Sequence, residues 1–230
     1  MLNPMEISSP KDGLGVIHLF LSVSGNCDRS QVISSIDKFE SLEGSQLVTV
    51  SVLGHKADMC VMALNPDLWA LRDLQTNLRT SGLDLVDSYI SLTEVSEYAD
   101  GLPDQMKQDR LYPNLPPEGK QAWCFYPMSK RRNVGQNWFT TPFEERKALM
   151  HQHGASGKAF RGRIIQLITG STGLDEYEWG VTLFGQHPDD LKDAVYTMRF
   201  DEASAEFAEF GSFYTGNVES PEKVLDSLGV

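Results

Sequence analysis

Two histidines lie two positions apart in PFEERKALMHQHG, His151 and His153, and Gly154 follows them. On a helix they fall about 200° apart, so they cannot share a face. Phe143, Met150 and His153 line one apolar stripe, while His151 goes with Glu144, Lys147 and Lys158 on or near the polar side. His153 is the inward one. A histidine on an apolar face, with Gly154 and Gly157 allowing a flat group to approach, suits an axial iron ligand; it suits equally a core histidine satisfied by a carbonyl. Tyr126, in CFYPMSK at 124–130, ends an apolar run directly before Pro127. It is either a strand-end packing residue with its hydroxyl in water or a phenol presented beside Lys130, Arg131 and Arg132. That basic run suits carboxylates, which arginine pairs bidentately and lysine meets as a point charge. Arg199, with Ser204 five residues on in MRFDEAS, makes a second basic site. Gln166 sits at the centre of the apolar run RIIQLITG, and a buried amide there needs a partner.

Other chemistries find less support. His18, His55 and His187 have no second histidine or carboxylate at metal-ligand spacing. Cys27, Cys60 and Cys124 form no CxxC pair and lie in or beside apolar stretches, as reduced cysteines packing as small hydrophobes do. There is no GxSxG, GxxxxGK[ST] or GxGxxG, and GSTG at 170–173 reads as a turn closing a hairpin. The formal net charge of -12 repels nucleic acid and anionic membranes. MLNPMEISSPKDG has no charged region leading into an apolar one, and no apolar run approaches about 18 residues. The expectation is a soluble cytoplasmic protein without leader or membrane span.

The elements that must position these residues occur in an order that repeats. GVIHLFLSVSG (15–25) reads as a strand and CDRSQVISSIDKFESL (27–42) as a helix, with Val32, Ile33, Ile36 and Phe39 at helical spacing. QLVTVSVLG (46–54) and ADMCVMAL (57–64) read as a hairpin. PDLWALRDLQTNLRTSG follows as a helix with Asn65 as N-cap and Pro66 in its first turn, and LDLVDSYISLTEV (83–95) as a strand. This is the ferredoxin-like order β-α-β-β-α-β over 13–97. Residues 98–119 hold Pro103, Pro113, Pro116 and Pro117 and read as a linker. The order then recurs over 120–218: strand QAWCFY, a helix opened by Thr141 and Glu144 as a capping box around Pro142, strands RIIQLITG and YEWGVTLFG, helix HPDDLKDAVYTMRF, and strand FAEFGSFYTG. Each sheet has one apolar face to cover, so two such repeats should pack face to face or close into an α+β barrel of the dimeric type.

Taken together, YPMSKRR, NWF at 137–139, PFEERKALMHQHG, GSTGLDEYEWGVTLF and MRFDEASAEFAEFG resemble the coproheme decarboxylases, or haem synthases, of the chlorite dismutase superfamily. The likeness is densest from Arg110 to Gly216; the N-terminal half shares only the element order. The resemblance implies hydrogen-peroxide-dependent decarboxylation of two propionates of iron coproporphyrin III (coproheme) to vinyl groups, with haem b as product. It implies His153 as proximal iron ligand, Tyr126 as the radical-forming tyrosine and Lys130 as its helper at the second propionate. Arg199, Ser204 and Arg110 would anchor propionates, Met128 would line the site, and Gln166 would be the distal residue. Chlorite-degrading relatives have a distal arginine, and a neutral amide is a poor substitute for a cation in stabilising a hypochlorite leaving group. A homopentamer, and a coproporphyrin ferrochelatase as donor, are further implications. A chlorite dismutase or haem peroxidase of the same superfamily, and a non-catalytic porphyrin carrier, are the alternatives.

Overall fold

A computed structural model describes residues 8–230; the first seven residues of MLNPMEISSPKDG, part of the stretch read as holding no leader, lie outside the described residues. The strands are β1 (Gly15–Val23), β2 (Gln46–Val52), β3 (Met59–Asn65), β4 (Leu83–Thr93), β5 (Ala122–Lys130), β6 (Arg132–Asn133), β7 (Gln136–Asn137), β8 (Ile164–Gly170), β9 (Trp179–Gly185), β10 (Ala208–Phe210) and β11 (Tyr214–Val218). The α-helices are α1 (Arg29–Glu40), α2 (Leu68–Thr80), α3 (Asp104–Leu111), α4 (Phe143–Lys158), α5 (Pro188–Met198), α6 (Glu202–Ala205) and α7 (Pro221–Leu228). The main sheet runs β10-β5-β11-β2-β3-β1-β4-β8-β9, and β9 pairs back onto β5, so the sheet closes into a barrel. The α+β barrel expected from the repeated order is the fold observed.

Alternation along the strands separates two apolar surfaces. Val16, Phe20, Cys60, Met62, Tyr89, Trp123, Phe125 and Phe184 fill the interior. Outside, Ile17, Leu19, Leu21, Met59, Val61 and Ala63 of the N-terminal half are covered by α1, α2 and α7 through Val32, Ile36, Phe39, Leu71, Leu74, Leu78, Val224 and Leu225. Fully burying one such side chain contributes about 1.5–3 kcal/mol, so this cover is a main source of stability. Cys60 and Cys124 are buried and Cys27 half-buried, all as free thiols.

Several local expectations are corrected. Asn65 ends β3, and its side chain accepts the Asp67 amide at 2.7 Å; Asp67 is the N-cap of α2, accepting the Trp69 amide. The proline-rich 98–119 segment contains α3, an eight-residue helix with no buried residue, which is why apolar periodicity does not reveal it. Pro127 does not end β5: its missing N–H is tolerated because the strand pairs on through Met128 to Lys130. Thr141 and Glu144 form no capping box, since the N-cap position of α4 is Pro142, whose side chain accepts no hydrogen bond. The last strand is two, β10 and β11, divided around Gly211, where a Cβ would press on Pro127 and Tyr177. The β6–β7 hairpin and α7 are additions to the sequence-based scheme.

Candidate functional site

The outer face of the C-terminal half is built from rows of paired residues. Gly170, Trp179 and Met128 form one row, Ile168, Val181 and Tyr126 the next, and Gln166, Leu183 and Cys124 the third. Helix α5 covers part of this face with Leu191 and Val195. Helix α4 does not cover the rest. It packs against α5 and α6 and makes no substantial contact with any strand, whereas α2 lies on β1, β3 and β4 and α1 touches β2. Within α4 only Leu149 is buried, whereas α1 buries Val32, Ile36 and Phe39. On β8 Gln166 is exposed and Ile168 41% exposed, whereas Cys124, Tyr126, Val181 and Leu183 of β5 and β9 are buried beneath α5, Phe210 and Phe213.

His153 is half-buried on α4. Its Nδ1 lies 3.0 Å from Asp201 Oδ2 and 3.4 Å from Ser204 Oγ, and its Nε2 makes no hydrogen bond among the described residues. Asp201 is buried and N-caps the single-turn α6, its Oδ1 accepting the Ser204 amide at 3.0 Å. Burial pulls the His153 pKa down, against the Asp201 carboxylate, so the ring is neutral near pH 7. A neutral imidazole with one nitrogen oriented by a carboxylate and the other free is what metal ligation requires. His151 is exposed.

Lys130 is buried. Its Nζ donates to the Ala203 carbonyl at 2.6 Å and lies 4.5 Å from the centre of the Trp138 ring, while its amide donates to Glu178 Oε2 at 2.8 Å. Burial lowers its pKa to about 8 despite the opposing pull of Asp201 and Glu178. The ammonium thus sits on the Asp201 side of the site. Tyr126 shares the outer face of β5 with Met128 and Lys130. Its ring stacks on Phe213 at 4.5 Å and meets Phe210 edge-on at 5.6 Å, and Phe210 carries the Arg199 guanidinium 4.8 Å from its centre. Burial drives the Tyr126 pKa well above the usual phenol value, which the charge of Arg199 only partly offsets, so the side chain is a neutral phenol at working pH.

The structure therefore brings His153, Ser204 and Lys130 together through Asp201 and the α6 turn, and Tyr126, Met128 and Arg199 together around Phe210. Gln166 is a correction: it is exposed on the outer face, not buried, because β8 turns its even-numbered residues away from the barrel interior. Arg110 is exposed at the end of α3 and bonds to none of these groups. Arg131 is turned to Glu209 at 3.7 Å, away from Tyr126. Sequence reasoning passes over Asp201 and Trp138. An aspartate directly before the short EAS turn is a capping signal that points to the first, and nothing local points to the second. Two surface hollows, of about 480 Å³ along α1 and α2 and about 370 Å³ beside Pro116 and Pro117, reach none of these residues. The stand-off of α4, not depth, marks the site.

The residues on the two sides fit a flat tetrapyrrole by their chemistry. A Cβ at Gly154 would meet nothing within 4 Å, and one at Gly157 only the tip of Met198. Open backbone on the helix, an apolar sheet face opposite and a neutral histidine with a free nitrogen are the needs of an iron porphyrin.

Comparison with known proteins agrees with this architecture. The chlorite dismutase family model matches residues 29–219. The chain is 38% identical to the coproheme decarboxylase of Staphylococcus carnosus, covering 94% of this chain and 96% of that one. It is 43% identical to a proposed heme-binding protein of Natronomonas pharaonis over 84% of its own length, and spans 34% of the length of that relative. A structure described as a novel heme-binding protein from Thermus thermophilus superposes with a TM-score of 0.87 at 31% identity, covering 99% of both chains. A chlorite dismutase mutant from Candidatus Nitrospira defluvii gives a TM-score of 0.75 at 15% identity over 96% of this chain and 98% of that one, a likeness of fold alone. With the match running from α1 to β11, and with near-full-length relatives above 30% identity, the chain belongs to the chlorite dismutase family.

Proposed function

We propose that this protein binds coproheme between α4 and the outer face of β5, β8 and β9, and removes two of its propionates as carbon dioxide to give haem b, with hydrogen peroxide as oxidant. The observation that carries the reading is the stand-off of α4 from the strands, which leaves Ile168 and Gln166 of β8 exposed on the face that carries Tyr126, with His153 on the helix. The 38% identical coproheme decarboxylase supports the choice of substrate.

For each propionate the balance is R–CH2–CH2–COOH plus H2O2 giving R–CH=CH2, CO2 and two H2O, a two-electron oxidation. When bound, the substrate's iron supplies activation of peroxide. His153 would hold the iron through Nε2, and Asp201 would keep the ring oriented by accepting from Nδ1–H. Tyr126 starts as a neutral phenol, so its oxidation must release the proton with the electron; the resulting phenoxyl takes a hydrogen atom from the propionate chain and the phenol is restored. Loss of CO2 and one further electron leaves the vinyl group. Arg199 beside Phe210 would pair with a propionate near Tyr126, with Met128 lining that side. Lys130 would present positive charge for the second propionate once its ammonium leaves the Ala203 carbonyl, and Ser204 would contact a propionate only by leaving His153. Gln166, exposed and neutral, would be the distal residue, which disfavours chlorite chemistry. A ring of five copies and a ferrochelatase donor belong to the same proposal, as does Arg110 as a further anchor.

A carrier without catalysis is the second reading, favoured by the two relatives named for heme binding. Tyr126→Phe separates them. On the enzyme reading, decarboxylation falls at least about a hundredfold while coproheme affinity, read by absorbance titration, stays within about threefold. An active Tyr126→Phe protein would remove the phenol from the mechanism.

A further inference from the structure

Beside β8 lies an acidic group that the reaction above does not use. Glu94 directly follows β4, where Leu92 pairs with Gly170 and Thr93 with Thr169, so its side chain emerges on the same outer face as Gln166 and Ile168. The side chain folds back over the sheet, although the residue stays exposed to water. Its Oε1 accepts the Trp179 indole N–H at 3.2 Å, and the carboxyl lies over Gly170, where any Cβ would collide with it. Glu94 thus crosses β8 to reach β9, in the row that contains Met128. Only a glycine at 170 allows that path.

The charge is uncompensated. Among the described residues no lysine, arginine or histidine pairs with Glu94, and Oε2 has no hydrogen-bond partner. The titratable groups on the packed elements look elsewhere: Glu178 of the turn before β9 holds the Lys130 amide, Asp175 accepts from Ile90, and Glu97 pairs with Arg146. Partial burial already raises the Glu94 pKa, with the Trp179 hydrogen bond opposing. A porphyrin laid over the slot withdraws more water from the carboxyl, and an isolated carboxylate in such a place takes up a proton rather than remain charged. The neutral acid then has an O–H to donate. A tetrapyrrole bearing a carboxylate on each of its four rings, placed over Tyr126, extends other carboxylates toward neighbouring rows; Glu94 lies two strands and one row away, roughly 12 Å by strand spacing and rise.

We propose that Glu94 is a specificity-determining residue that binds one substrate carboxylate as a neutral acid, the two groups sharing a proton taken up on binding and the Trp179 N–H fixing the orientation. This rests on the coproheme reading. A binding face that meets a carboxylate with an acid, where Arg199 meets another with a cation, distinguishes two edges of the same ring.

The test is calorimetric titration of coproheme into the full-length protein at pH 7, in phosphate and in Tris, whose ionisation heats differ. The slope of apparent enthalpy against buffer ionisation enthalpy counts protons. The expected result is uptake of about one more proton by the wild type than by Glu94→Gln, and coproheme affinity about tenfold lower in Glu94→Ala, the loss of one charge-assisted hydrogen bond. Equal proton counts in wild type and Glu94→Gln would overturn the proposal while leaving the coproheme site intact. Tighter binding by Glu94→Gln with equal counts would overturn it too, by showing that Glu94 repels the substrate. No coproheme binding by any of the proteins would sink this inference together with the functional reading beneath it.

Discussion

His153 owes its readiness for a metal to Asp201, which holds Nδ1 at 3.0 Å while burial keeps the ring neutral. Asp201→Asn keeps a good N-cap for α6 but replaces the carboxylate acceptor. The expected outcome is a thermal melt close to wild type and coproheme affinity about 10–100-fold weaker by absorbance titration; unchanged affinity would show that the histidine needs no orienting partner. Lys130 gives a second prediction at this scale. Its pKa is about 8 in the folded protein and 10.5 for an ordinary lysine, so between those values the unfolded chain binds a proton that the folded chain lacks. Its contribution to stability therefore rises as pH climbs through that window and is constant below it, with a total of roughly 3 kcal/mol. Denaturant melts at pH 8 and pH 10 should show this rise in the wild type and a flatter trend in Lys130→Met. Identical slopes would mean that the ammonium reaches water.

At the scale of elements, the two helices that open the repeats do different work. Helix α1 buries Val32, Ile36 and Phe39, while α4 buries Leu149 alone and rests on its neighbouring helices. Backbone amides of residues 143–158 should exchange with deuterium at least about tenfold faster than those of α1 in the free protein, and should slow on addition of coproheme. Equal protection in the two helices, or no change with coproheme, would contradict a slot beneath α4. The same contrast explains what is legible in the sequence. Val32, Ile36 and Phe39 announce α1 by their spacing because they face a sheet; α3 has no apolar face to announce. His153 can be chosen over His151 by angle alone, since the first is half-buried on α4 and the second exposed. Gln166 reads as buried from the sequence because an apolar run such as RIIQLITG does not say which of its alternate residues face the interior when both surfaces are apolar.

For the whole molecule, the repeated element order in the sequence matches a barrel closed by β9 pairing with β5. The local pattern carries that far because strand and helix periods differ and recur in one order. It does not carry the contacts made across long separations: Glu94 with Trp179, Lys130 with Ala203 and His153 with Asp201 each join residues tens of positions apart. These contacts assemble the proposed site more than any single motif does. The net charge of -12 is no obstacle to an anionic substrate, because Lys130 and Arg199 supply positive charge locally. The most direct test of the account is to load the purified protein with coproheme, titrate in hydrogen peroxide and follow product masses. Stepwise loss of two carboxyl groups ending at haem b is the predicted result; tight binding followed only by bleaching, with no carboxyl lost, would contradict it.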